Sequence, residues 1–389
     1  MPSYISSNAN RFYVAIETSY GQARPVTAGN RFPAIRLDAQ QVLERSKRLD
    51  KSGARTFAGG SKDSRRHTAF EVRTYLTSWD GSTQPGYGPL FQAGMGAVPE
   101  ISSGLSVASV QNSVQIQTTN PHQLSVGSAI RFADEMRFVT SVPDSSSVVI
   151  NAPFTQTPNA NSALGTTITY RVSTALPSVT LYDYWDPAGV LSRIVTGAAV
   201  DTLEVLVDGD YHELRFAGPA GDLLDSSSFV QGSAGLDSFP AEPTTAGFDY
   251  SIVPGHLGQA WIGGTGTRFY TLTDAAIEVK NDISLRSYEY GSSYPRAITA
   301  GLRQVAAHFT LFVQDDAETA ALYTAAKRRQ SMPAMLQLGQ KQGELMGIFV
   351  PNVTPEIPEY DDSETRLKWQ FRNNLAQGVA DDEIYIAFG

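Results

Sequence analysis

Apolar and polar positions alternate along most of this chain at the period of a β-strand, and only two stretches have the character of a helix. Phe12-Tyr-Val-Ala-Ile-Glu17 is a β-branched and aromatic run ended by Tyr20-Gly21, and it predicts a first strand; Pro33 to Leu37 predicts a second. From Thr68 to Leu76, Phe70, Val72 and Leu76 alternate with Ala69, Glu71, Arg73 and Tyr75, the period of two expected where one face is buried and the other is wet. Asp208-Gly-Asp210 predicts a hairpin turn between two further strands. Pro89-Leu-Phe-Gln-Ala-Gly-Met95 reads as a short helix that opens with proline. Asp315 and Asp316 offer caps to a second helix, Glu318 to Arg329, whose Lys327-Arg-Arg ending complements the helix dipole and whose Ala321, Leu322, Ala325 stripe predicts a core face.

Several of these segments occur twice in one order. Gly21-Gln-Ala recurs as Gly258-Gln-Ala and Arg31-Phe32 as Arg268-Phe269, both 237 residues on. Ala34-Ile-Arg-Leu is answered by Ala276-Ile-Glu-Val at a separation of 242, and the Phe70 strand by His308-Phe-Thr-Leu-Phe-Val313 at 239. Pro177-Ser-Val-Thr-Leu181 then resembles Pro333-Ala-Met-Leu-Gln337 at a separation of only 156, so the first copy holds some 80 extra residues. The pattern predicts a mainly β fold with a few short helices (α+β), built from a duplicated domain. Copy one occupies residues 1–102 and 176–222 and closes on Glu213-Leu-Arg-Phe-Ala-Gly218. Copy two occupies 223–389 and closes on Glu383-Ile-Tyr-Ile-Ala-Phe-Gly389. Between 103 and 175 charges thin out and short strands such as Ser113–Thr118 and Met136–Thr140 follow one another, which predicts a small all-β domain inserted on the outside and dispensable for what the copies build.

Charge adds a direction to this plan. The net charge is −9, yet residues 1–100 carry 13 Lys/Arg against 8 Asp/Glu, while residues 177–260 carry 2 against 12. The basic excess gathers in 38–67, at Arg45, Lys47, Arg48, Lys51, Arg55, Lys62, Arg65 and Arg66; Gly53, Gly59 and Gly60 stop any long helix there, so a protruding loop is predicted. Acidic counterparts are Asp201, Glu204, Asp208, Asp210 and Asp222. Opposite charge at two places of one chain favours head-to-tail contact between chains.

Candidate chemistry is sparse. With no cysteine, disulfides, thiol nucleophiles and thiolate metal sites are excluded, and the five histidines stand far apart. No phosphate loop, dinucleotide fingerprint, zinc helix or nucleophile elbow occurs, so a protein without catalysis, metal or cofactor is expected. No run of about 18 apolar residues occurs, and Met-Pro-Ser-Tyr-Ile-Ser-Ser does not open like a secretory leader; a soluble chain made in the cytoplasm is expected.

One family carries a similar set of motifs. Glu17-Thr-Ser-Tyr-Gly21, Gly86-Tyr-Gly-Pro-Leu90, Asn281-Asp-Ile with Glu289-Tyr-Gly291, Ala300-Gly-Leu-Arg303 and the terminal Asp-Asp-Glu-Ile-Tyr-Ile-Ala-Phe-Gly stand where the chain resembles the tail tube (major tail) proteins of long-tailed bacteriophages, of the duplicated kind, over residues 1–100 and 177–389. The resemblance implies a β-sandwich or barrel domain whose sheets join around a ring, and rings that stack into the conduit for DNA ejection. It implies a structural virion protein made in the host bacterium. Duplication favours homotrimeric rings. The implied partners are the chain itself, the tape measure, tail tip and tail terminator proteins, and DNA that passes through the lumen without specific binding, with no membrane partner. Net acidity suits such a lumen, because each Lys or Arg contact to phosphate would hold the DNA back. The resemblance further implies that the basic loop reaches the neighbouring ring and meets the acidic surface. Two other readings stand beside it: a distal-tail or tail-tip ring protein of the same fold, and a glycan-binding adhesion protein, suggested by the β insert.

Overall fold

The structure, a computed structural model, describes residues 4–44, 51, 53–56, 59, 64–79, 81, 83–186, 191–244, 250–264 and 266–389. The fold is mainly β, in antiparallel sheets. The first sheet has the order β16 (Asp222–Asp225), β13 (Arg193–Ala198), β12 (Val179–Trp185), β1 (Asn10–Ile16), β2 (Arg31–Phe32). A seven-stranded sheet runs β18 (Arg268–Phe269), β17 (Gly258–Ile262), β23 (Met332–Leu338), β24 (Met346–Val353), β27 (Tyr385–Phe388), β11 (Thr167–Arg171), β5 (Glu100–Ser102). An eight-stranded sheet runs β25 (Glu359–Asp361), β26 (Lys368–Leu375), β22 (Gln304–Phe312), β19 (Leu272–Lys280), β14 (Thr202–Val207), β15 (Glu213–Ala220), β4 (Arg65–Tyr75), β3 (Arg36–Glu44). A separate five-stranded sheet comprises β6 (Val107–Gln111), β7 (Gln115–Thr118), β10 (Ser147–Ile150), β9 (Glu135–Asp144) and β8 (Ala129–Phe132), and a small hairpin joins β20 (Ser284–Leu285) to β21 (Ile298–Thr299).

The same order of pairing occurs in both halves. The sequence β16-β13-β12-β1-β2 of the first half is matched by β27-β24-β23-β17-β18 of the second, and β3-β4-β15-β14 by β19-β22-β26-β25. Cross-strand neighbours correspond as well. Leu224, Ile194, Tyr182, Tyr13 and Arg31 face one another across five strands. Tyr385, Phe349, Met335, Trp261 and Arg268 do so across the other five. Both rows lie on the sheet face turned away from the central core.

That core fills the space between sheets and includes helix α1 (Gly88–Met95). Proline in its first turn suits the helix start, and Phe91 meets Phe216, Phe388 and Tyr170 at ring-centroid distances of 5.1, 5.3 and 5.6 Å. One aromatic side chain thus touches both halves and β11. Helix α2 (Ala317–Arg328) is capped by Asp316, whose side chain accepts from the Thr319 N–H at 2.7 Å, and ends at Arg329 in the left-handed conformation. Its buried residues are Thr319, Leu322 and Ala326; Ala321 is exposed, so the core face is turned by part of a step from the Ala321, Leu322, Ala325 stripe.

The structure redraws several expected boundaries. The strand Thr167–Arg171, expected within the insert, pairs with β27 and β5 and so belongs to the second half's sheet. Nor does the insert stand free. Met136, Phe138, Ala129 and Ala152 bury Trp261, Met335, Phe349 and Tyr385, with Phe138 stacked on Phe349 at 5.4 Å. Gln337, fully buried on β23, accepts from the Met136 N–H at 2.9 Å and donates to the Asp134 carbonyl at 3.1 Å. Arg137 lies between Phe154 and the Trp261 ring, 4.1 Å from the latter's centroid, and pairs with Glu135 at 3.2 Å. The reason is the row of large apolar side chains on β17, β23, β24 and β27, which needs a cover. The closing strands also correspond otherwise than expected: by sheet position Glu213–Ala220 matches β26, while β27 matches β16. Gly258-Gln-Ala lies inside β17, whereas Gly21-Gln-Ala lies in the turn after β1, so that likeness is not one of position.

Candidate assembly surface

The stretch 38–67 was expected as a loop. Its flanks are strand: β3 and β4 pair continuously from Arg36↔Arg73 to Glu44↔Arg65, so strand takes the place of the expected loop at 38–44 and 65–67. Alternation of Leu37 and Ala39 inward explains the first part of β3; beyond it, Val42 and Leu43 are 39% and 49% exposed on a strand that has a neighbour on one side only.

Arg65 and Arg66 therefore sit on β4. The Arg65 guanidinium rests 5.2 Å from the Tyr288 ring centroid and that of Arg66 4.1 Å from Tyr294, so both lean on the second half's segment around β20 and β21. The Arg66 backbone N–H donates to the Ser293 carbonyl at 2.9 Å. Lys51 and Arg55 are exposed; Arg45, Lys47, Arg48 and Lys62 lie outside the described residues.

Of the acidic candidates, Asp222 meets Arg66 within the same chain, 3.7 Å from its Nε, and accepts from Gln41 Nε2 at 2.8 Å. Burial raises the Asp222 pKa, and the distant guanidinium offsets this only in part. Asp201 accepts from the Ile283 N–H at 2.7 Å, and Glu204 meets Arg215 at 3.4 Å. Asp208 accepts from the Asp210 N–H in the exposed β14–β15 turn. Three of the five acids thus have partners that hold this chain together, leaving Asp208 and Asp210 facing outward.

The geometry that sequence reading missed concerns the edges of the eight-stranded sheet. At its middle β14 and β19 join the two halves over six pairs, Thr202↔Lys280 through Val207↔Ala275. At its ends stand β25 and β3, which in their own halves hold the places of β14 and β19 respectively. The Phe70 and Phe309 strands are not at an edge; β4 and β22 have neighbours on both sides. The β25 edge carries Tyr360, 58% exposed, with Ile357 beside it at 53%. Unpaired backbone donors and acceptors with exposed apolar side chains make both ends templates for another strand.

The Glu17–Gly21 motif has a structural use. The Glu17 carboxylate accepts from Ser178 Oγ (2.6 Å), Thr180 Oγ1 (2.9 Å) and the Gly197 and Gly21 N–H groups (both 2.8 Å). Burial raises its pKa, and these bonds offset the shift only in part. Gly197 adopts φ 62° under the Tyr20 ring, where a Cβ would come within 2.9 Å of it. The motif locks the turn after β1 onto β12 and β13.

Among the described residues no group of three or more His, Asp or Glu side chains is arranged to hold a metal ion, and no helix is long and apolar enough to cross a membrane. Compared with models of known protein families and with curated proteins, the sequence matches none.

Proposed function

We propose that this chain is a structural subunit made of two copies of one domain, which associates head to tail into rings that stack as the tube of a bacteriophage tail. The observation that carries the assembly reading is the pair of sheet edges. Inside the chain a β14-type strand already pairs with a β19-type strand, and the free ends, β25 and β3, offer one of each type. Repeating that junction between chains is a heterologous contact, which closes a ring when the rotation per step divides a full turn. Two copies per chain make three chains per ring the natural count for a sixfold arrangement of domains. The tube and its phage setting rest on the motif resemblance, and the acidic balance suits a lumen that DNA must traverse unheld.

Negative-stain images and sedimentation of the full chain test this. Rings or tubes with three chains per turn are expected, and Leu43→Lys or Tyr360→Lys, which set a charge on either edge, should leave folded monomers. A wild-type chain that remains monomeric at high concentration overturns the reading; six whole chains per ring overturn the trimer.

A further inference from the structure

Corresponding places on the two outer sheet faces are filled differently. On the first half, Glu242 lies over the row: its carboxylate accepts from Arg11 Nε and Nη2 at 2.5 and 2.6 Å and from the Tyr13 hydroxyl at 2.8 Å. Burial works against its charge, but these bonds outweigh it and the Glu242 pKa is lowered. On the second half, Trp261 and Arg268 face one another as Tyr13 and Arg31 do, and Gln259, two residues before Trp261, holds the place of Arg11. No described carboxylate pairs with Arg268. Its Nε and the Gln259 Oε1 are buried without a hydrogen-bond partner, its Nη2 reaches only the Gly258 carbonyl at 3.4 Å, and its guanidinium lies 4.7 Å from the Tyr270 ring centroid. Both side chains line a cleft of about 390 Å³ that is also lined by His212, 1% exposed, neither of whose ring nitrogens has a partner of normal hydrogen-bond geometry. The Leu257 backbone approaches that ring too loosely to satisfy it.

We infer that this cleft binds a carboxylate. Arg268 supplies the cation and a fork of N–H donors, neutral His212 one N–H, and Gln259 its amide, whose oxygen and nitrogen exchange by a half-turn. The volume suits a small dicarboxylate or the end of an acidic side chain. The inference stands on the buried, unpartnered groups of Arg268, Gln259 and His212 that line one cleft, and goes beyond the assembly reading. Two sources share the chemistry: a free small carboxylate, and an Asp or Glu of a second copy.

Succinate titrated calorimetrically into the unassembled full chain addresses the first source. Saturable binding is expected, weakened by about tenfold or more in Arg268→Gln and unchanged in Arg372→Gln, a surface arginine. The second source predicts no succinate binding, with assembly lost in Arg268→Gln and restored in Arg268→Lys. Should Arg268→Gln fail to fold, Arg268→Lys alone is compared with wild type for succinate affinity. Succinate binding indifferent to Arg268, or neither binding nor an effect on assembly, overturns the inference. The calorimetric arm needs no ring, so its result is independent of whether the chain assembles.

Discussion

Two equivalent sheet faces in this molecule are covered by different means. On the first half, Tyr13, Tyr182, Tyr184, Ile194 and Leu224 lie under a strap of connecting chain that contributes Phe229, Ala234, Leu236 and Phe239. On the second, Trp261, Met335, Phe349 and Tyr385 lie under part of a whole inserted domain. The side chains account for the difference. Tyrosines end in hydroxyls that irregular chain can satisfy from its backbone or side chains: Tyr182 donates to the Arg24 carbonyl at 2.7 Å and Tyr13 to the Glu242 carboxylate at 2.8 Å. A Trp, Met and Phe surface offers a strap few such anchors and is better matched by another apolar sheet. Two halves with the same strand order therefore leave the same face bare twice, and what differs is how much chain closes it.

The largest expected effect breaks this comparison outright. Deleting residues 103–166 with a short Gly/Ser bridge keeps β5 and β11 but bares the second row. At about 1.5–3 kcal/mol for each large apolar side chain, the loss is on the order of the whole stability of an ordinary domain, about 5–15 kcal/mol. Soluble yield and urea unfolding should both collapse. A deletion variant with the wild-type unfolding midpoint would show that the insert is a passenger.

Next in size is Arg137→Met. The guanidinium is 1% exposed, donates twice to the Pro153 carbonyl and pairs with Glu135, so removing it leaves a nearly buried carboxylate without its cation. A loss of about 3–5 kcal/mol is expected by chemical denaturation. Burial lowers the Arg137 pKa and Glu135 only partly restores it, which fits a group held by geometry more than by charge. A change under 1 kcal/mol would mean that the Trp261 contact and the apolar cover suffice without it.

How much of this was legible in the sequence follows from which interactions are local. The strand Phe12–Glu17, the alternation of Thr68–Leu76, the proline-led helix at 89 and the Asp316 cap are local, and they appear where they were expected. The matching strand order of the halves was signalled by Arg31-Phe32 and Arg268-Phe269, which occupy matching edge strands, but Gly21-Gln-Ala misled because a turn and a strand can share the same three residues. The ends of the halves were misassigned because strands of similar pattern differ only in which sheet they join. Alternation marks Met136 and Phe138 as facing inward without saying onto what; their partners are some 200 residues away. The strand character of the flanks was hidden by their composition, since Gln40, Gln41, Arg65 and Arg66 do not read as strand. The edge pairing could not be read at all, being a property of sheet order.

The strap offers the smaller counterpart of the Arg137 test. Glu242→Gln keeps the shape of the side chain but removes the charge that holds Arg11 and Tyr13. Hydrogen bonds to charged groups contribute about 1.5–3 kcal/mol, and partial exposure of both Arg11 and Glu242 (26% and 20%) places the effect at the lower end. Burial, together with Glu242, pushes the Tyr13 phenol up to about 12. The variant should bring it back toward its ordinary value, which ultraviolet titration reads; an unmoved phenol would leave burial alone responsible.

The smallest effect concerns the seam between the halves rather than their covers. His212, on the first half, lines the cleft against β17, and burial lowers its pKa below the ordinary value of about 6.5. The folded state therefore binds fewer protons than the unfolded state as pH falls below that value. Stability from His212 is complete above the unfolded pKa and is lost as pH falls through the lower, folded one. Glu17 works in the opposite sense: its raised pKa contributes stability below the ordinary carboxyl value that is lost as pH rises, so it does not add to acid lability between pH 5.5 and 6.5. Unfolding midpoints measured from pH 8 to 5.5 should fall more steeply in the wild type than in His212→Gln, which keeps a polar group in the cleft but cannot titrate. Parallel profiles would remove His212 as the acid-sensitive point and leave the two covers, rather than the seam, as the place where the molecule first gives way.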